Sequence, residues 1–202
     1  MSTPWSLHSR LCDLKTPWFR LLGERLQPSE GQAVDYWRVE RAHSVIVVPQ
    51  QGDRLILPPP QYRPGAGVAT WDFPGGRWPE AQSLAEASYA ILERELQVVP
   101  EAVLSLQPLN PDGWWVNSSF SNQKLYGVQA RIAPDAVIPP AAIGAVYLLP
   151  SDAATPSDTT ITGLDPSTSP PSTFPSHGSF ADLDRQLDCL QCRMVLAQML
   201  RA

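Results

Sequence analysis

The 202-residue chain has little charge and few cysteines, and no glutamate follows Glu101. Asp, Glu, Lys and Arg make up 17% of it and the formal net charge is −5. That balance excludes the basic excess by which proteins grip a nucleic-acid backbone. It does not exclude a local cationic pocket for a small anion, because net charge says nothing about one cleft. The three cysteines, Cys12, Cys189 and Cys192, are too few, and odd in number, for a disulfide framework. They fit a reducing compartment, so a cytoplasmic location is expected. No run reaches the ~18 apolar residues of a membrane span. The opening MSTPWSLHSRLCDLKTPW lacks the apolar stretch of a secretory signal.

Hydrophobic residues reach 43%, enough to bury a core, and the 22 prolines mark loops. Residues 1–12 are expected to form a loose leader before a single domain, 13–202. PWFRLLGERLQ (17–27) and AVDYWRVERA (33–42) are half-apolar runs separated by Pro28, Ser29 and Gly31. They read as a β-hairpin or meander. HSVIVVPQ (43–50) is a β-branched run typical of a buried strand, and RLILPP (54–59) returns as a second. Ser83 and Glu86 form a capping box that opens a helix, and Pro100 closes it, giving Leu84 to Val98. AVLSLQPLN (102–110), QKLYGVQARI (123–132) and AAIGAVYLLP (141–150) read as strands. In the loop between the first two, Trp114 and Trp115 read as an exposed aromatic contact that covers a cleft or meets a protein partner; core filling is an equal reading for one of them, because neighbours in extended chain face opposite ways.

Residues 151–179 are Ser/Thr/Pro-rich and are expected to be disordered. Residues 180–202 are expected to close the chain as one amphipathic helix, with Leu187, Leu190, Met194, Leu196 and Met199 as its apolar positions. Cys189-Leu-Gln-Cys192 falls within that pattern. Two semi-buried thiols on a helix are a simpler reading than a metal or redox pair. Strands with few helices place the chain in the α+β class, as a layered sandwich.

From Gly76 to Val98 the sequence resembles the Nudix box, G-x5-E-x7-R-E-U-x-E-E-x-G-U, where U is bulky and aliphatic. The surroundings resemble the ADP-ribose pyrophosphatase branch, in the strands at 17–50, in Gln61-Tyr62-Arg63 and Pro74-Gly75-Gly76, and in CRMVLAQMLRA. The resemblance covers roughly 13–150 and 180–202 and makes the Ser/Thr/Pro segment an insertion. It implies an α/β/α sandwich with a mixed sheet and N-terminal antiparallel strands. It also implies Mg²⁺-dependent hydrolysis of a nucleoside diphosphate compound such as ADP-ribose, and a homodimer through the N-terminal strands.

Counted from Gly76, however, the box glutamates fall on Gln82, Ile91, Arg94 and Glu95, and the closing glycine on Gln97. A second register, reading RELQVV at 94–99 as R-E-U-x-E-E, needs one more helical turn and also leaves Glu95 as the single box glutamate. Positions 91, 94 and 95 share one helix face. Arg94 puts a fixed positive charge where the family holds metal, and it is placed to pair with Glu95. Glu95 is therefore the one expected catalytic or metal-binding carboxylate.

Arg63 and Arg94 are expected to offer two guanidinium groups to a diphosphate without metal, beside Gly75 and Gly76. Trp37 or Tyr36 offers a surface for a base, although a core strand residue is the simpler reading of Trp37. Three functional readings follow. The chain is a degenerate Nudix-fold protein that senses a ligand or meets a protein partner. Alternatively it is an active hydrolase with a rebuilt Mg²⁺ site, in which an Asp replaces a missing Glu. The third reading is a purely structural interaction subunit.

Overall fold

The computed structural model describes residues 3–149 and 177–201. The Ser/Thr/Pro-rich stretch, expected to be disordered, lies outside the described residues except at its end.

Three antiparallel strands, β1 (Ser6–Lys15), β2 (Arg20–Gln27) and β3 (Val34–Glu40), form an N-terminal sheet in the order β1-β2-β3. The expected loose leader is thus largely a strand. Its signal is masked because register shifts between Leu7 and Ser9 and between Arg10 and Cys12 break the two-residue alternation.

The larger sheet is mixed. It contains β4 (Ser44–Gln51), β5 (Arg54–Leu57), β8 (Gly75–Arg77) and β9 (Val103–Pro108). β10 (Trp114–Trp115), β11 (Lys124–Ile132), β12 (Ala145–Leu148) and β13 (His177–Ser179) complete it. The path runs β10-β11-β4-β5-β12-β13, with β8 on β4 and β9 on β11. β11 and β4 are parallel, as are β12 and β13; the other pairs are antiparallel. A separate hairpin joins β6 (Gln61–Arg63) to β7 (Val68–Thr70). β13 takes the last three residues of the segment expected to lack structure, because β12 offers them an unpaired edge.

β4 shows why the sheet is covered on both faces. Val45 and Val47 pack with α1 (Leu84–Leu96) through Ala87, Ile91, Leu92 and Leu96. Ile46 and Val48 face the other way, onto Leu183, Leu187, Val195 and Leu196 of the C-terminal segment. Alternate side chains of a strand point to opposite faces, so a continuous apolar run requires a layer on each side.

That C-terminal segment is two helices, α2 (Phe180–Gln186) and α3 (Leu190–Met199), not the single helix expected. Leu183 and Leu187 are an i, i+4 pair, but the next buried positions are Cys192, Val195, Leu196 and Met199. The two stripes are out of helical phase, so the chain breaks at 187–189 to turn both onto the sheet. Leu190 and Met194 consequently lie in solvent, contrary to expectation. Arg193 Nε donates to Leu187 O across the break (2.5 Å). α3 approaches β11 at Gly127, where a Cβ would lie 2.9 Å from Val195 Cγ1.

α1 begins at the expected capping box: Ser83 Oγ accepts from Glu86 N, and a Glu86 carboxylate oxygen accepts from Ser83 N. It ends earlier than Pro100 implies. Gln97 takes a left-handed conformation (φ 56°, ψ 32°), its N–H bonding Glu93 O and the Val98 N–H bonding Leu92 O. Position 97 is where the first of the two registers expected from the resemblance puts a glycine. A left-handed non-glycine residue costs ~1–2 kcal/mol. Gln97→Gly is therefore expected to raise stability by about 0.5–1 kcal/mol, after the extra freedom it gives the unfolded chain. An unchanged or lower urea midpoint would show that Gln97 carries no such strain.

Candidate functional site

The site is built on the start of β4, the β8 turn and α1. β8 pairs with β4 at Ser44–Arg77, Val45–Gly76 and Ile46–Gly75, which sets the glycine turn beside the helix. On the facing side of α1, Ile91 is buried (2% exposed) and contributes only packing. Arg94 Nη2 donates to Gly75 O at 2.9 Å and pairs with Glu95 Oε1 at 2.7 Å. A Cβ on Gly76 would lie 3.1 Å from Arg94 Nη2. The guanidinium thus fills the space between helix and turn.

Magnesium demands oxygen ligands in near-octahedral geometry at ~2.0–2.1 Å. This face offers one carboxylate, already paired to a fixed cation, and a buried isoleucine. The residues present do not fit Mg²⁺.

Arg63, on β6, is held by Asp72: Nη2 lies 2.7 Å and Nε 2.9 Å from Asp72 Oδ2. Thr70 Oγ1 donates to the same oxygen at 2.9 Å. Gln61, Arg63, Thr70, Asp72 and Glu95 border a narrow crevice, so Glu95 and Arg63 do come together.

Next to it opens a cavity of about 490 Å³, the size of a small-ligand pocket. Arg41, His43, Arg63, Arg77, Gly75 and Gly76 stand in its wall, with Trp18 at the rim. Three arginines against the single carboxylate of Asp72 make the wall net +2 in a chain of net −5. Arg63 is neutralised by Asp72, but Arg41 and Arg77 have no carboxylate partner among the described residues; Arg77 Nη1 donates only to Pro17 O (3.2 Å). His43 Nδ1 accepts from Lys124 N at 3.1 Å, which leaves Nε2 as the ring's other hydrogen-bonding atom. Ser44, also in the wall, has a buried hydroxyl oxygen with no hydrogen-bond partner among the described residues.

The far wall is Cys189 and Cys192. Cys189 is the N-terminal cap residue of α3, not a residue within a continuous helix. The thiol hydrogen bond from Cys192 and the backbone N–H groups of Cys192 and Gln191 pull its pKa down to about 6. Cys192 is shifted the opposite way, first by that same hydrogen bond and then by burial.

Of the residues the sequence marked, Arg63, Gly75 and Gly76 line the cavity and Glu95 the adjoining crevice. Arg94 sits behind the glycine turn, spent on Gly75 and Glu95, and is not in the cavity wall; the expected Arg63–Arg94 clamp is not formed. Trp37 also lies elsewhere. It faces Gly23 across β2 and β3, its ring covering the glycine so closely that a Cβ there would be 2.8 Å away. Trp18 takes the rim position instead, 72% exposed on the turn between β1 and β2. The sequence reading missed Trp18, Arg41 and Arg77. No local motif marked them: Arg77 is opposite Ser44 at the start of β4, Arg41 precedes that strand, and Trp18 follows Pro17, whose carbonyl Arg77 bonds. Trp114 packs on the core, while Trp115 is exposed and stacks beneath Lys124 Nζ (5.0 Å).

Comparison with solved structures places this architecture. The crystal structure of an ADP compounds hydrolase superposes with a TM-score of 0.54 at 21% identity, covering 65% of this chain and 69% of that one. The chain has a Nudix-type fold: an α/β/α sandwich with a mixed sheet and antiparallel N-terminal strands. No protein-family model matches the sequence, and no curated protein matches it. No helix among the described residues is long and apolar enough to cross a membrane.

Proposed function

We propose that this protein binds a nucleoside diphosphate compound such as ADP-ribose without Mg²⁺ and without turning it over, as a ligand sensor on a degenerate Nudix site. The observation that carries this reading is the cavity wall of Arg41 and Arg77, two guanidinium groups with no carboxylate partner. Guanidinium forks bind phosphate bidentately without metal. Trp18 offers an exposed indole face for the base, and Arg63 with Gly75 and Gly76 completes the phosphate side. The ADP compounds hydrolase neighbour supports the choice of ligand class. Arg94, locked against Glu95 and Gly75, supports the absence of turnover.

The test is calorimetric titration of the full chain with ADP-ribose, with and without Mg²⁺, followed by product analysis of the same sample. Equal affinity in both conditions with no products is expected. Mg²⁺-dependent AMP release, lost in Glu95→Gln, would replace this reading with a rebuilt hydrolase. No binding in either condition would leave only a structural interaction subunit.

A self-association surface has its own support. Leu7, Leu11, Leu14, Phe19, Val34 and Trp37 are all exposed on the N-terminal sheet or its turn. By register Leu14 and Trp37 share one face of this sheet, and exposed apolar side chains on one sheet face mark an interface rather than ordinary surface. A homodimer through this sheet is expected by light scattering, with Leu11→Glu/Leu14→Glu shifting it to monomer. A monomeric wild-type protein would sink the idea.

A further inference from the structure

We propose that Cys189, Cys192 and Asp72 form a binding site for a zinc-class divalent cation, with a fourth coordination position open to the cavity. The two Sγ atoms and a carboxylate oxygen lie within 4.8 Å of one another. A tetrahedral zinc site with Zn–S of ~2.3 Å and Zn–O of ~2.0 Å needs its ligand atoms roughly 3.5–3.8 Å apart. Cys192 Sγ and Asp72 Oδ1 are already 3.9 Å apart.

The surroundings are built for this geometry. The C-x-x-C turn opens α3, with Cys189 as its N-terminal cap residue and Cys192 in its first turn, so both sulfurs stand at one helix end beside Asp72. The isolated bridge between Trp71 and Leu187 fixes the Asp72 loop against the α2–α3 break. Arg63 and Thr70 both bond the same carboxylate oxygen, Oδ2, which leaves Oδ1 to accept from Cys192 Sγ, at the place a metal would take between them. Outer partners that fix a ligating carboxylate in this way orient it for the metal.

The donor set selects the ion. Two thiolates and a carboxylate suit a borderline-soft cation and reject Mg²⁺, which takes oxygen ligands. Three protein ligands with one open position correspond to an accessible zinc site and not to a closed structural one. The site opens into the cavity assigned above to a diphosphate, but its three donors are other residues than Arg41 and Arg77, and a metal titration without nucleotide tests it apart from that reading.

The experiment uses the reduced, metal-stripped full chain titrated with Co²⁺ and then with Zn²⁺. One Co²⁺ per chain is expected, with sulfur-to-cobalt charge-transfer absorption and tetrahedral ligand-field bands that one equivalent of Zn²⁺ removes. Thr70→Val, which loosens the carboxylate, is expected to weaken zinc about tenfold, and Cys189→Ser by more than the ~100-fold upper range of outer-partner losses. Cys12→Ser should change nothing. Cys189 is only half-buried, so circular dichroism of the metal-free Cys189→Ser variant should match wild type and separate ligand loss from misfolding. Absent charge-transfer absorption, zinc affinity unchanged in Cys189→Ser, or a Cys189–Cys192 disulfide that persists under reductant and excludes metal would each overturn the proposal.

Discussion

Arg41→Ala/Arg77→Ala is expected to cut ADP-ribose affinity by a factor on the order of a thousand. A charge-assisted hydrogen bond is worth ~1.5–3 kcal/mol, or roughly tenfold to a hundredfold each, and the two losses add if the groups contact different phosphates. Both side chains reach the cavity without a carboxylate to neutralise them, so their charge is available to a diphosphate. Arg94→Ala should act far more weakly, by less than about tenfold, because that guanidinium already bonds Gly75 O and Glu95 behind the turn. The ranking discriminates between two sites. If Arg94→Ala destroys binding and the double variant does not, the ligand sits on the α1 face and not in the cavity. Calorimetry on variants with wild-type circular dichroism decides it.

Arg38→Met is expected to destabilise the protein by about 2–3 kcal/mol at neutral pH. Glu24 is 3% exposed, and its carboxylate bonds Arg38 Nε at 2.8 Å and Arg10 Nη2 at 3.0 Å. Removing one partner of a buried ion pair costs ~3–5 kcal/mol; Arg10 remains here and Arg38 is partly solvated, which places this case at or below the lower end. For a chain of this size the shift in Tm is about 4–12 °C.

The effect has a pH signature. Arg38, and to a lesser degree Arg10, hold the Glu24 carboxyl below its ordinary value of 4.5. A depressed folded-state pKa contributes stability that is full above the unfolded value and lost as pH falls through the folded one. The gap between wild type and Arg38→Met should therefore be widest above about pH 5 and close in acid, as the carboxyl protonates. A gap independent of pH would mean that Arg38 acts through packing of its stem and not through Glu24.

Much of the sandwich was legible. The capping box at Ser83 and Glu86 uses bonds spanning three residues, and β4 advertises its two-sided burial through four consecutive β-branched residues. β1 was not legible, because its bulges hide the alternation, and the break at 187–189 was not, because Leu190 and Met194 look like core positions until α3 turns them out. The site was readable in part for the same reason. Arg63 and the glycine turn were marked by local motif, whereas Trp18, Arg41 and Arg77 belong to no motif and meet only because β8 pairs the start of β4 and Arg77 bonds Pro17 O.

The sequence by itself determined that Ile91, Arg94 and Glu95 share one helix face, since helical periodicity allows no other arrangement. Only the tertiary structure decided where Arg94 spends its charge, which arginines remain for an anion, and that Asp72 meets Cys192 120 residues further along. The first depends on hydrogen bonds between residues four apart. The second depends on sheet pairing and on the phase of two apolar stripes, and no local stretch of the chain encodes either alone.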